Sequence, residues 1–182
     1  FVVLAAACDV TEESKDLVKG LIAKHGIDCH LKPGVAWTAS SEADVKDLHQ
    51  YAEHLQKAYG YDQIEALDSA EAAALCPSPD YKGAVLDMGA AHLHPLALVF
   101  GLAKAAQKAG VTIHEMSRVE ALENGTQARV RTTRGSVLAD HVVLGCNGYL
   151  SGFAPGVTAR VMPINNFVVA TEPLGARTRE VL

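Results

Sequence analysis

The sequence lacks two patterns that mark common classes of site. It contains no Gly-X-Gly triplet, so the glycine-rich loop that holds a dinucleotide pyrophosphate on a helix N-terminus does not occur in these 182 residues. A nicotinamide-dependent dehydrogenase is therefore disfavoured. The four cysteines form no CxxC pair. Their spacing suits the reduced thiols of a cytoplasmic protein better than a zinc site or a disulfide framework.

Charge and hydropathy disfavour two further classes of protein. The chain has 16 basic and 21 acidic residues, for a net charge of −5, and no basic cluster, so nucleic acid is not an expected partner. No apolar run approaches the length of a membrane span, and no basic region precedes the opening apolar residues as it would in a signal peptide. With 49% hydrophobic and 20% charged residues, the composition is that of a globular protein, which we expect to be cytoplasmic.

Both ends of the sequence suggest a longer protein. Phe1 starts within an apolar pattern and is not Met, and the sequence stops at Leu182 without a closing element. We therefore expect an internal piece of a longer chain. The exposed sheet edges of such a piece would make it a homo-oligomer or prone to aggregation.

The first third of the chain alternates between strand and helix patterns. Apolar residues at helical spacing follow residues that cap helix N-termini, and each pattern ends at glycine or before proline. The predicted elements are a strand at Phe1–Ala7, a helix between Thr11 and Gly26, a strand at Val35–Ala39, a helix between Ser41 and Gly60, and a short helix from Asp68, in capping-box spacing with Glu71, to Pro77.

From Tyr81 onward the pattern contains more strands. Proline is favoured in a first helical turn, and Asn-Gly between strand-like runs is a strong hairpin signal. The predicted elements are a strand at Ala84–Leu86, a link of small residues at 89–91, a helix from His94-Pro95 to Gly110, a strand at Val111–Met116, a three-stranded meander at 118–138 that turns at Asn124-Gly125, a buried strand at Val142–Cys146, and a strand at Val161–Thr171.

The most informative stretch is the end of the predicted buried strand. Val142, Val143 and Leu144 are followed at once by Gly145, Cys146, Asn147 and Gly148. Small residues there allow a backbone to approach a bulky ligand, which a larger side chain would obstruct. Since ligands of open α/β sheets bind at the carboxyl ends of strands, this segment is a candidate cofactor contact.

The second half of the chain also carries a family resemblance. A helix, a strand, a three-stranded meander and a buried strand ending in small residues follow each other as in glutathione-reductase-type FAD folds. The segments GAAHLHPLALVFGLAKAAQKAGVTIHE, SRVEAL, VRTTRGSVLADHVVLGCNGYL and VMPINNFVVATEPLG resemble the D-amino-acid-oxidase-type flavoprotein family, and most of all its branch that oxidises gamma-glutamylputrescine. The similarity runs from about Gly83 to Gly175.

The resemblance implies an α/β fold of mixed character, a cofactor and a reaction. Residues 1–88 would belong to a substrate domain with a mixed sheet, 89–155 to part of the FAD-binding domain, and 156–182 to a strand that returns to the substrate domain. The family oxidises a C–N bond of a small amine or amino acid by passing a hydride to FAD. The family's opening Gly-X-Gly-X-X-Gly segment has no counterpart in this sequence, so we expect this chain alone to be inactive.

The resemblance also implies roles for six residues. Val119 matches the position whose main chain pairs with the adenine edge of FAD, and the two asparagines match a strand that crosses into the substrate sheet. The implied cofactor contacts are Val119, Cys146, Asn147 and Gly148, and the implied substrate contacts are Asn165 or Asn166. Successive strand residues face opposite sides, so at most one asparagine can face the substrate. No catalytic acid or base is assigned.

Several side chains also have simpler interpretations. Cys146 is expected to be an inert thiol and not a flavin anchor, since no basic residue adjoins it in sequence. His92 and His94 could share a strand face, but amine oxidation by flavin needs no metal, and we predict no metal site. Trp37, Tyr51, Tyr59 and Tyr61 are expected to be core and helix-end packing residues, and an aromatic wall for an amine substrate is the less favoured interpretation.

Two alternative functions stay open at this point. A flavoprotein of the same superfold could act on a C–O bond, as 2-hydroxyacid and glycerol-phosphate dehydrogenases do. The chain could also be a non-catalytic remnant that serves as a folded binding module. Substrate turnover distinguishes the first alternative, and an upstream reading frame that encodes Gly-X-Gly-X-X-Gly would exclude the second.

Overall fold

The computed structural model describes residues 2–150, 152–164, 167, 168, 170 and 172–177. Within these residues, contacts group the chain into two units, one of 2–111 with 173–177 and one of 112–172. The elements of the first unit are α1 (Val2–His25), β1 (Lys32–Ala39), α2 (Glu42–Tyr59), β2 (Ile64–Leu67), α3 (Ser69–Leu75), β3 (Gly83–His92) and α4 (Pro95–Lys108). Those of the second are β4 (Val119–Glu123), β5 (Ala128–Thr132), β6 (Gly135–Ala139) and the short α5 (Pro155–Thr158). Helices and antiparallel strands together confirm the predicted mixed α/β class.

The sheet of the first unit has β3 at its centre. β1 and β2 both pair with β3 in antiparallel orientation, so the strand order is β1-β3-β2. Asp87 of β3 lies opposite Val35 on one side and Ile64 on the other. The sequence prediction did not include β2 and made β3 too short, because the small residues at 89–91 were taken for a link.

The core of this sheet lies under α2. Ala52, Ile64 and Val85 are at most 1% exposed and form one cluster, against which Leu48 and Leu55 pack. A second cluster joins α3 to β2 and β3. Helix α2 therefore covers one stretch of the sheet that also holds Asp87, whose side chain shares a face with Val85 because strand side chains alternate.

Capping residues position α2 and α3 as the sequence predicted. The Ser41 hydroxyl accepts from the Asp44 N–H, and Gly60 ends α2 in the left-handed region at φ +66°. The Asp68 carboxylate accepts from the Ala70 and Glu71 N–H groups, while the Glu71 carboxylate accepts from the Asp68 N–H. These contacts join residues at most three positions apart, so they follow directly from local sequence.

The prediction of a strand at Phe1–Ala7 is wrong. Residues from Val2 onward belong to α1, which continues without a break to His25. A short apolar run cannot by itself distinguish a strand from a helix, and alanine and leucine favour the helix. No glycine or proline separates this run from the predicted helix, so one helix includes both and Thr11 lies inside it.

The meander of the second unit is confirmed. Strands β4, β5 and β6 pair in that order in antiparallel orientation, with an irregularity between Val119 and Ala121. Two neighbouring predictions are wrong: Val111–Met116 and Val142–Cys146 form no strand, and Val143 is 91% exposed. Both segments lack a hydrogen-bonded strand partner among the described residues, and an unpaired segment cannot form a ladder.

Three further features concern the predicted strand near the end of the sequence, the predicted domain ranges and membrane-spanning helices. The predicted strand at Val161–Thr171 includes residues outside the described ones, and its described residues, 161–164, 167, 168 and 170, are not in a strand. The predicted domain ranges 1–88, 89–155 and 156–182 refer to a longer protein and stay a prediction. Among the helices that the structure describes, none is long and apolar enough to cross a membrane.

Candidate functional site

The predicted cofactor segment forms a tight turn after the unpaired stretch at 142–146. Asn147 has φ +48°, a left-handed conformation that asparagine tolerates better than most residues, and Asn147–Tyr149 make one turn of 3₁₀ helix. The turn is closed by a 3.0 Å hydrogen bond from the Tyr149 N–H to the Cys146 carbonyl. Leu150, which is buried, anchors its end.

This turn borders a small cavity of about 180 Å³ in the second unit. Cys146 and Asn147 line it, and the other lining residues are Leu144, Leu150, Val157 and Val161. Cys146 is a free, partly buried thiol. The structure thus brings two of the predicted cofactor contacts to one cavity.

The two glycines of the segment have different surroundings. At Gly145 no atom lies within 4 Å of the position that a Cβ would occupy, so the backbone is open to approach from outside. At Gly148 a Cβ would lie 3.5 Å from the Cβ of Pro163, an ordinary van der Waals contact. Only Gly145 therefore leaves unfilled space beside its main chain.

Val119 lies apart from this cavity in sequence and in its contacts. It is the first residue of β4, half-buried, and its Cα partner is Thr132 of β5. Thr132 borders a different cavity of about 260 Å³, to which His114, Ser117 and Arg134 also contribute. Asn165 and Asn166, the predicted substrate contacts, lie outside the described residues.

The histidines considered as a metal pair bind backbone groups. His92 Nδ1 is 3.0 Å from the Gly34 carbonyl oxygen, and His94 caps α4, its Nδ1 accepting from the Ala97 N–H at 3.3 Å. In the described part of the chain, no three His, Cys, Asp or Glu side chains are grouped so that they could hold a metal ion.

Sequence reasoning missed a cluster of polar side chains around Tyr61 in the first unit. The Tyr61 hydroxyl donates to Asp87 Oδ1 at 2.5 Å, and the same oxygen accepts from the N–H groups of Gly89 at 2.9 Å and Ala90 at 3.1 Å. The Lys15 ammonium lies 5.3 Å from the centre of the Tyr61 ring. Aspartate is depleted in strands, so Asp87 within an apolar strand pattern is a sequence signal that could have indicated this cluster.

The environment of Tyr61 favours its neutral form. Burial raises the pKa of its hydroxyl above the usual range, and the hydrogen bond to the Asp87 carboxylate raises it further, because a phenolate there would face a negative charge. The Tyr61 hydroxyl therefore remains a donor well into the alkaline range.

Tyr61 belongs to the wall of a cavity of about 280 Å³. The residues that line it are Thr11, Glu12, Lys15, Tyr51, Leu55, Tyr59, Tyr61 and Asp87. Tyr51 is also in contact with Trp37, with ring centres 6.0 Å apart, and both are 44% exposed. The expectation that Trp37 is a core residue is therefore wrong, since the edge strand β1 leaves its outer side uncovered.

Sequence comparison relates the chain to known oxidoreductases. The profile of the family described as FAD dependent oxidoreductase matches residues 4–181. The chain is 32% identical over 167 residues to a Rhizobium meliloti protein described as probable oxidoreductase OrdL, covering 91% of this chain and 39% of that protein. It is 33% identical over 163 residues to gamma-glutamylputrescine oxidoreductase of Escherichia coli, covering 89% of this chain and 38% of that enzyme.

Structural comparison gives the same fold. Glycine oxidase from Geobacillus kaustophilus superposes with a TM-score of 0.66 at 23% identity, covering 79% of this chain and 40% of that one. L-proline dehydrogenase from P. horikoshii superposes with a TM-score of 0.63 at 19% identity, covering 77% and 38%. The predicted partial FAD-binding fold with part of a mixed-sheet substrate domain is thereby confirmed. The chain spans about two fifths of the length of the relatives that it matches.

Proposed function

Because this chain belongs to the FAD dependent oxidoreductase family, we propose that the protein that carries it oxidises the C–N bond of a small amine or amino acid. The match of the family profile to residues 4–181 is the observation that carries this proposal. FAD, when bound, supplies the acceptor for the hydride that leaves the carbon next to nitrogen. The resulting imine would then be hydrolysed by water.

The proposed substrate is gamma-glutamylputrescine or a compound like it. Support comes from the Escherichia coli relative of that name, at 33% identity over 163 residues. It also comes from the resemblance of the segments between Gly83 and Gly175 to the same branch of the family. A substrate of this kind presents an amine at one end and an amino-acid group at the other.

The proposed cofactor contacts are Val119, Cys146, Asn147 and Gly148. The open space beside Gly145 fits the approach of a large ligand to the main chain, and Asn147 is exposed in the turn that follows. Cys146 would contribute a small side chain to the wall of the cavity, and none of the other described residues that line this cavity is basic. The cavity of about 180 Å³ can take only part of FAD, so further segments of the longer protein would complete the site.

Asn165 or Asn166 is the proposed contact to the substrate. An amide offers both a donor and an acceptor, which suits an amino-acid head group. We expect the Asn→Ala change at the position that faces the substrate to raise KM more than it lowers kcat, while the same change at the other asparagine should alter neither by much.

The test is the visible absorption spectrum of the purified full-length protein, recorded without oxygen before and after gamma-glutamylputrescine is added. A flavin band that bleaches supports both the cofactor and the substrate class. A band that persists contradicts this substrate, and D-amino acids, sarcosine and 2-hydroxyacids are then tested in turn. Folded protein without a flavin band contradicts the whole proposal and favours a non-catalytic module.

A further inference from the structure

We propose that the cavity beside Tyr61 is a binding site for a small primary alkylammonium ion. This site lies in the first unit, and none of the residues proposed to contact the cofactor lines it. The inference does not depend on the proposed function, because it concerns binding and not oxidation. Three features of the cavity carry it: its unbalanced charge, its aromatic walls, and the way in which Lys15 already occupies one of these walls.

Among the described residues that line the cavity, the negatively charged groups outnumber the positively charged ones by one. Glu12 and Asp87 line it with two carboxylates, and Lys15 supplies one ammonium group. Lys15 pairs with Glu12, at 2.6 Å between Nζ and Oε1, so Asp87 has no cationic partner among the described residues. A half-buried carboxylate without a cation is the natural counter-ion for an incoming ammonium group.

The hydrogen bonds of Asp87 leave one of its oxygens available. All three donors, the Tyr61 hydroxyl and the N–H groups of Gly89 and Ala90, bind Oδ1. Oδ2 has no hydrogen-bond partner in the part of the chain that the structure describes. Because Oδ1 is fixed by three donors, the carboxylate is held in one orientation and would lose little freedom when Oδ2 binds a ligand.

The walls of the cavity suit a cation with a short apolar chain. Tyr51, Tyr59 and Tyr61 contribute aromatic rings, and Leu55 adds an apolar side. The face of an aromatic ring attracts an ammonium group electrostatically, and its area also covers the alkyl chain. A volume of about 280 Å³ fits a compact amine and excludes a folded polypeptide segment.

Lys15 shows that the wall accepts an ammonium ion. Its Nζ lies 5.3 Å from the centre of the Tyr61 ring, within the range of a cation–π contact. Its ion-pair partner, Glu12, lies only three residues earlier in α1. An alkylammonium ligand would therefore bind beside Lys15 at Oδ2 of Asp87, or displace the Lys15 side chain from Tyr61. In both cases Lys15 opposes the ligand by like-charge repulsion.

The experiment is isothermal titration of the purified full-length protein with butylammonium chloride, and with 1-butanol as a neutral ligand of similar size. We expect butylammonium to bind and butanol to bind at least about tenfold more weakly, because the neutral ligand loses the contacts with the carboxylate and the rings. Equal binding of both ligands, or no binding of butylammonium at millimolar concentration, would overturn the proposal.

Two variants should shift the affinity in opposite directions. Asp87→Asn keeps an oxygen for the three donors but removes the charge, and should weaken binding about tenfold. Lys15→Ala removes the competing ammonium and should tighten binding severalfold. Asp47→Asn on the exposed side of α2 is the matched control, since Asp47 does not line the cavity, and it should leave the affinity unchanged.

Circular dichroism of each variant establishes that it is folded. If Asp87→Asn does not fold, Glu12→Gln replaces it, since Glu12 is the other carboxylate that lines the cavity, and its loss should likewise weaken binding. Binding that survives every cavity variant would place the amine elsewhere and contradict the inference. The flavin spectrum responds to oxidation of the substrate, whereas this titration responds to the charge of the cavity. Failure of the proposed oxidation is therefore distinguishable from failure of the proposed amine site.

Discussion

Gly89 is the position at which a single added methyl group should have the largest effect on the Tyr61 cluster. A Cβ at Gly89 would lie 2.1 Å from the Tyr61 hydroxyl oxygen and 3.0 Å from the adjacent ring carbon. Both distances are shorter than van der Waals contact, so the ring of Tyr61 must move. The backbone φ of Gly89 is not in the left-handed region, so an alanine at this position causes no backbone strain.

The expected cost of Gly89→Ala follows from these contacts. Overpacking of this kind costs about 1–3 kcal/mol, and displacement of Tyr61 loses a hydrogen bond to a charged acceptor, about 1.5–3 kcal/mol. Replacing glycine within a strand recovers about 0.5–1 kcal/mol, because the unfolded chain loses freedom. We therefore expect the free energy of unfolding to fall by about 1.5–5.5 kcal/mol.

The assay is urea unfolding of the purified chain, followed by circular dichroism. Gly135→Ala in β6 is the matched control, because a Cβ there meets no atom within 4 Å, and it should change the free energy of unfolding by less than about 0.5 kcal/mol. In a Tyr61→Ala background the cost of Gly89→Ala should largely disappear. An equal cost in both backgrounds would refute the reasoning, since the penalty would then not arise from the Tyr61 ring.

Four further predictions follow from the fold. Ile64→Ala, at a side chain that is 1% exposed, should lower the free energy of unfolding by about 2–5 kcal/mol in the same assay, since it leaves a cavity under α2. Asp68→Ala should cost about 1–2 kcal/mol because the capping box of α3 is lost, whereas the exposed Asp62→Ala should cost much less. Because the pKa of Tyr61 is raised in the folded state, its contribution to stability is complete below the ordinary tyrosine pKa of about 10 and is lost as the pH rises through the higher folded value. This alkaline loss of stability should be absent in Tyr61→Phe. If the variant loses stability with pH as the parent does, the loss does not arise from Tyr61. The isolated chain should self-associate in sedimentation experiments through sheet edges such as β6, and Leu138→Lys, at a side chain that is 54% exposed, should reduce the association.

The sequence alone was sufficient for features that depend on neighbouring residues. Ser41 and Gly60 predicted the limits of α2, and Asp68 with Glu71 predicted the start of α3. The meander around Asn124-Gly125 was predicted for the same reason. A cap or a hairpin turn joins residues a few positions apart, so its energy is already contained in the local sequence. The family resemblance was likewise carried by the local order of residues between Gly83 and Gly175.

Features that depend on distant partners could not be predicted in this way. Val142–Cys146 has the composition of a buried strand, yet it forms no strand, because composition does not supply the hydrogen-bonding partner that a ladder requires. The apolar run at Phe1–Ala7 became helical for a related reason, since a helix satisfies its backbone without a second strand.

The sequence by itself determined the family, the mixed α/β class, the limits of α2, α3 and α4 and the turns of the meander. The tertiary structure decided which side chains meet. Tyr61 and Asp87 are 26 residues apart, and they come together only because β3 pairs with both β1 and β2 and α2 covers that face. No local pattern contains such a contact, since it depends on the register of three strands at once.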